Sequence, residues 1–153
     1  MNALFAPFVA GRGAVGLLVL RVVAGAALML HGSGKIRNPF GWMGPDSTIP
    51  GFFQMLAAVS EFFGGLALIV GLLTPIASFG ILCTMLVAAF THIQRGDPFV
   101  KSSPQGGSYE LAAAYAAVAL VVMLVGPGSL SLDALIFGRR RVPAADAPGG
   151  TPV

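Results

Sequence analysis

Residues 13–35 read GAVGLLVLRVVAGAALMLHGSGK, an apolar run with Arg21 in its middle and His31 and Lys35 near its far end. At about 1.5 Å rise per residue, a helix of this length spans the ~30 Å hydrocarbon core of a bilayer. A charge at mid-depth costs about 2.5–3.5 kcal/mol on insertion scales unless it is paired or wetted. The run therefore sets the fold as a membrane span, and it sets a problem that the other segments have to answer: where its cations go. It is longer than the ~7–15 residues of a signal-peptide apolar region and is broken by Arg21, so it is expected to stay in the mature protein.

Composition agrees. The chain has 153 residues, 56% hydrophobic and only 10% charged, against about 25% charged in soluble domains. This is the composition of an integral membrane protein whose main partner is the lipid bilayer. The net charge of +3 does not point to nucleic acid. Part of it is one run, Arg139 to Arg141, beside a membrane segment, where a topological or anionic-lipid role fits better. The lone Cys83 excludes an internal disulfide and a CxxC motif, and its apolar surroundings make it a small packing residue.

Outward from the first span, residues 1–12 form a leader and 36–49 a loop with Pro39, Pro45 and an interfacial Trp42. Pro50 suits the start of a second helix over about 50–73, because its missing N–H falls among donors without helical partners. Leu73-Thr74-Pro75 turns the chain into a third helix reaching about His92, which makes the second and third helices an antiparallel hairpin. Residues 94–108 are a second polar loop, and a fourth helix over about 109–125 stops at Gly126-Pro127-Gly128. The segment SLSLDALIF should lie at the surface, with Asp133 near Arg139–Arg141, before a basic and then disordered tail over 139–153. The expected architecture is all-α: a polytopic four-transmembrane-helix bundle over 13–138.

Four spans place both termini on one side. Arg12, Arg139, Arg140 and Arg141 on that side tie with Lys35, Arg37, Arg95 and Lys101 on the other, and the cluster directly after the last span favours cytoplasmic termini. Two blocks hint at an internal repeat: His31 is followed by Lys35, Arg37, Asn38, Pro39 and Phe40, and His92 by Arg95, Gly96, Asp97, Pro98 and Phe99. Two parallel hairpins would give this pattern, and so would the ordinary frequency of turn residues in loops.

Each helix carries one small or polar stripe, the kind of face that meets neighbours in membrane bundles. Arg21, His31 and Lys35 share a face of the first helix within about 80°. Counted from the helix ends, Arg21 and Glu61 both reach mid-bilayer with opposite charge, so they are expected to pair, either as architecture or as the polar floor of a ligand cavity or proton path. His31, Lys35, His92, Tyr109 and Glu110 fall near the far end, with Gln54 and Trp42. His31, His92 and Glu110 are the candidates for ligand contact or proton exchange; Arg21, Lys35, Glu61 and Tyr109 are the candidates for holding a cofactor. Three chemistries suit such a layer. A quinone headgroup needs donors or acids at its carbonyls, b-type haem could take His31 and His92 as axial ligands, and a divalent metal could take both histidines with Glu110, although diagnostic spacing is lacking.

LRVVAGAALMLHGSGKI (20–36), EFFGGLALIVGLLTP (61–75), THIQRG (91–96), YELA (109–112) and GPGSLSLDALI (126–136) together resemble the DoxX family of bacterial membrane proteins. The resemblance spans roughly 13–138 and implies a four-helix membrane bundle in the bacterial plasma (inner) membrane. It singles out His31, Gly32, Lys35, Glu61, Gly126, Pro127, Gly128 and Asp133. It also implies a role in a redox system, in quinone-coupled sulfur oxidation or oxidative-stress defence, with a soluble or membrane redox partner protein supplying the substrate chemistry. No thiosulfate-specific motif or soluble catalytic domain is evident. A non-enzymatic scaffold or assembly factor and a small-solute carrier remain alternatives, and a homo-oligomer is allowed.

Overall fold

A computed structural model describes residues 8–138. The leader residues 1–7 and the tail 139–153, with Arg139–Arg141, lie outside the described residues. The helices are α1 (Arg12–Lys35), α2 (Gly51–Val70), α3 (Thr74–Gln94), α4 (Glu110–Val125) and the short α5 (Leu132–Phe137). By length and composition α1, α2 and α3, at 24, 20 and 21 residues, can cross a membrane. The apolar α4, at 16 residues, is about 24 Å long.

Local chemistry sets the boundaries. α2 stops at Val70 rather than running to 73, because Gly71 takes the left-handed conformation (φ 68°) that a side chain disfavours. Its N–H bonds Leu68 O at 3.2 Å and that of Leu72 bonds Ala67 O at 3.0 Å, the paired bonds of a Schellman ending. Three residues later α3 begins, with proline in its first turn, where a missing N–H leaves no bond unmade.

The most extensive packing joins α1 to α2 and α3 to α4; α2 meets α3 less, and α1 meets α4 only slightly. Glycines let α1 and α2 approach closely. A Cβ on Gly25 would lie 2.5 Å from Gly65 O, one on Gly65 2.6 Å from Gly25 O, and one on Gly32 2.7 Å from Phe62 N. Small residues at such contacts are how helices associate where lipid competes equally for apolar side chains. Leu28, Leu68, Ile81, Met85, Ala116, Ala119 and Val122 form the core, while Leu30, Phe79, Phe90 and Leu124 are exposed, as lipid-facing residues would be. Gly65→Ala should lower stability by about 1–3 kcal/mol through overpacking. Gly34→Ala, with nothing within 4 Å of the new Cβ, should not. Thermal unfolding of the two variants in detergent checks this, and equal midpoints would refute it.

The helices are not level with one another. Gly32 of α1 packs on Phe62, and Gly80 of α3 faces Ser60, so the start of α2 and the end of α3 extend beyond the end of α1. The two helix–loop–helix halves match at an offset of 59: Lys35 and Gln94 end helices, Gly51 and Glu110 start them, and Pro39 and Phe40 correspond to Pro98 and Phe99. The carbonyl of each of these phenylalanines sits at the start of the following helix. Phe99 O accepts from Glu110 N at 3.1 Å, and Phe40 O lies 2.7 Å from where Gly51 would carry a Cβ. His31 and His92, 61 apart, are not equivalent in this register. Ser129 N donates to Val9 O at 2.8 Å, which joins the approach to α1 and the exit from α4 at one end of the bundle.

Candidate functional site

Glu61 is buried, 3% exposed, on the face of α2 turned to α1. Gly32, with no side chain, lets the backbone at Glu61 and Phe62 close on α1, and Lys35 one turn further along α1 then reaches the carboxylate: Nζ lies 2.6 Å from Oε1. The same ammonium sits 4.5 Å from the centroid of the Trp42 ring, a cation–π contact. Trp42 is held in turn, its Nε1 donating to Gln54 O at 2.9 Å. The buried Gln54 side chain accepts from Met43 N at 3.1 Å and donates to Ile49 O at 2.8 Å. Gln54 thus fastens the 36–50 loop to α2, and it also lines a cleft of about 570 Å³ beside that loop, with Asn38, Phe40, Ser47 and Thr48.

One oxygen of the pair is left over. Glu61 Oε2 is buried without a hydrogen-bond partner, a state that costs about 1–3 kcal/mol, more for a charged group. A carboxylate anchored on one oxygen and unpartnered on the other, beside an ammonium and an indole, can accept a hydrogen bond from a polar ligand there.

This corrects the expected Arg21–Glu61 pair. Counting depth from helix ends took those ends as level; in the structure Glu61 lies beside Gly32, eleven residues and roughly 16 Å along α1 from Arg21. Arg21 is fully buried at the opposite end. Nη1 donates to Leu68 O at 3.2 Å and Nη2 to Leu130 O at 2.5 Å, so the cation binds the carbonyl-rich C-terminus of α2 and the segment entering α5. Asp133 is the acid acting on it electrostatically. Asp133 is not at the surface as expected but fully buried; its oxygens accept from Leu73 N at 2.8 Å and Thr74 N at 2.9 Å. Leu73 cannot cap α3 with its own side chain, so an aspartate sixty residues away satisfies the free N–H groups. Asp133 N donates to Gly71 O at 2.8 Å, completing the strap under the α2–α3 turn.

The remaining candidates are dispersed. His31, exposed, meets the Tyr115 ring edge-on at 6.2 Å between centroids, bridging α1 and α4. His92 pairs through Nδ1 with Asp97 Oδ2 at 2.7 Å. Tyr109 packs on Phe99 at 5.2 Å. Glu110 is exposed in the first turn of α4, where its charge suits the helix dipole. His31 and His92 are not at one level: His92 lies twelve residues, roughly 18 Å, beyond Gly80, which is level with the Gly32 region. The two imidazoles therefore do not fit a single haem iron. Among the described residues no group of three or more His, Cys, Asp and Glu is placed to hold a metal. Sequence reasoning underrated Trp42 and missed Tyr115. The spacing of Gly32 and Lys35 on one face was the signal that could have led to Glu61.

The motifs around Gly32, Lys35 and Glu61 lie inside residues 16–94, which match the DoxX family. The chain belongs to the DoxX family. This DoxX protein is 31% identical to a Haemophilus influenzae protein described as uncharacterized, over 79% of this chain and 90% of the relative. It is 30% identical to the Escherichia coli inner membrane protein YqjF, over 80% of this chain and 92% of the relative. No solved structure matches it.

Proposed function

We propose that this DoxX protein is the membrane subunit of a bacterial inner-membrane redox system and offers the Lys35–Glu61–Trp42 site to the headgroup of a quinone-type electron acceptor. The observation that carries the reading is Glu61 Oε2, buried and without a hydrogen-bond partner beside the Lys35 ammonium. A ring whose oxygens pass between quinone carbonyl and quinol hydroxyl suits that pair. Lys35 can donate to a carbonyl of the oxidised ring, Glu61 Oε2 can accept from a hydroxyl of the reduced one, and the Trp42 face supplies apolar contact to the ring. When bound, such a group supplies the electron-accepting chemistry; the partner protein supplies electrons. His31, next to Tyr115, is placed near the open side between α1 and α4, and His92 with Asp97 stands apart from this site.

Trp42 is the only tryptophan of the chain, so its fluorescence reports on the site directly. A short-chain quinone titrated into the detergent-purified protein should quench Trp42 saturably, and Glu61→Gln should weaken binding about tenfold or more, equivalent to about 1.4 kcal/mol. Quenching that stays linear with concentration and is unchanged in Glu61→Gln would leave the scaffold reading in its place.

A further inference from the structure

At the opposite end of the bundle from Glu61, three more buried polar atoms stand without protein partners: Arg21 Nε, Thr74 Oγ1 and Ser78 Oγ. Arg21, Thr74 and Ser78 are each fully buried, and two observations put them in one neighbourhood. Asp133 bonds Thr74 N and acts electrostatically on Arg21; Thr74 and Ser78 are one turn apart on the same side of α3. Three hydroxyls elsewhere bond back to their own backbone, Ser33 to Leu30 O, Thr91 to Val87 O and Ser131 to Gly128 O, while Ser60 Oγ in α2 is buried without a partner. Thr74 and Ser78 do not bond back, so both are free to bond outward.

From this we infer an internal water site that links Arg21 to the Thr74 and Ser78 hydroxyls beside Asp133. The two opposite charges are both fully buried, yet the described residues include no direct ion pair between them: the guanidinium goes to two carbonyls and the carboxylate to two N–H groups. Water satisfies what remains, accepting from Arg21 Nε and exchanging hydrogen bonds with the two hydroxyls, and the two to four polar partners that a buried water needs are present. A small anion is the poorer occupant. Arg21 is already compensated by Asp133 and by the carbonyls of Leu68 and Leu130, and a further negative charge would face that carboxylate directly. The site is independent of the quinone reading, and it hydrates the Arg21 side of the Arg21–Asp133 pair.

The sign of a stability change separates the cases. If the Thr74 hydroxyl bonds water, Thr74→Val removes a used hydrogen bond and leaves its neighbours short of partners; if it is truly unpartnered, the isosteric change relieves a buried polar group and is neutral or stabilising. The hydrated site requires Thr74→Val to melt about 3 °C or more below Thr74→Ser, which keeps the hydroxyl and loses the methyl. It also requires a through-space NMR cross-peak from water to the Arg21 Nε–H in arginine-labelled wild type, assigned by its loss in Arg21→Lys. A Thr74→Val protein as stable as Thr74→Ser, or an Arg21 Nε–H with no water cross-peak, overturns the inference. The NMR measurement on wild type decides if the valine variant does not fold.

Discussion

Arg21→Met should cost about 3–5 kcal/mol of stability, the range for breaking one member of a buried charge pair, although residue 21 touches no part of the proposed ligand site. Methionine fills the space but donates nothing. Leu130 O loses the Arg21 donor and Leu68 O keeps only the N–H of Gly71, and Asp133 is left fully buried without the cation that acts on it. The strap formed by residues 128–133 would then lose its tie to Arg21 and keep those of Asp133 and of Ser129 N to Val9 O. Arg21→Lys should recover only part of the loss, since an ammonium cannot address both carbonyls in the planar fork of a guanidinium. Unfolding in mixed micelles measures this. A methionine variant within about 1 kcal/mol of wild type would mean that the buried arginine is not the clamp described, since surface changes have effects of that size or less.

The second large effect separates stability from binding. Lys35→Met strands Glu61, 3% exposed, without its cation, and should cost about 3 kcal/mol or more. Adding Glu61→Leu removes the stranded carboxyl and should return most of that stability, because replacing both members of a buried pair by apolar groups is often close to neutral. Quinone quenching of Trp42 should be lost in both the single and the double variant. The double variant is thus a folded protein without the site. If it melts no higher than Lys35→Met, the 2.6 Å contact does not govern the burial of Glu61. If it still binds, the polar pair is not what the ligand recognises.

The helices and their order were legible from apolar runs and from turn residues, and the boundaries at Lys35, Gly51, Thr74 and Val125 fall near where proline, glycine and the apolar runs place them. The pairings were not legible. Opposite charges at equal counted depth pointed to Arg21 with Glu61, but depth counted from helix ends is only as good as the levelness of those ends, and α2 and α3 overshoot α1. The close glycine contacts at Gly25, Gly32 and Gly65 fix the true register and hand Glu61 to Lys35. Asp133 was expected at the surface with its short segment, near Arg139–Arg141. Its partners are backbone N–H groups at the start of α3, and a backbone donor leaves no trace in side-chain complementarity. The uncapped Leu73-Thr74-Pro75 start was the available clue, since a helix start without a polar cap has to find an acceptor elsewhere.

The central claim is that the carboxyl of Glu61, with Lys35 and Trp42, holds a quinone-type ligand within the membrane. The most direct measurement is the quinone content of the protein purified from its native membrane, set against a Lys35→Met, Glu61→Leu variant prepared identically. The account predicts a quinone in solvent extracts of wild type at close to one per chain and only detergent background in the variant. Background levels in both, from wild type shown by its melting transition to be folded, would contradict it.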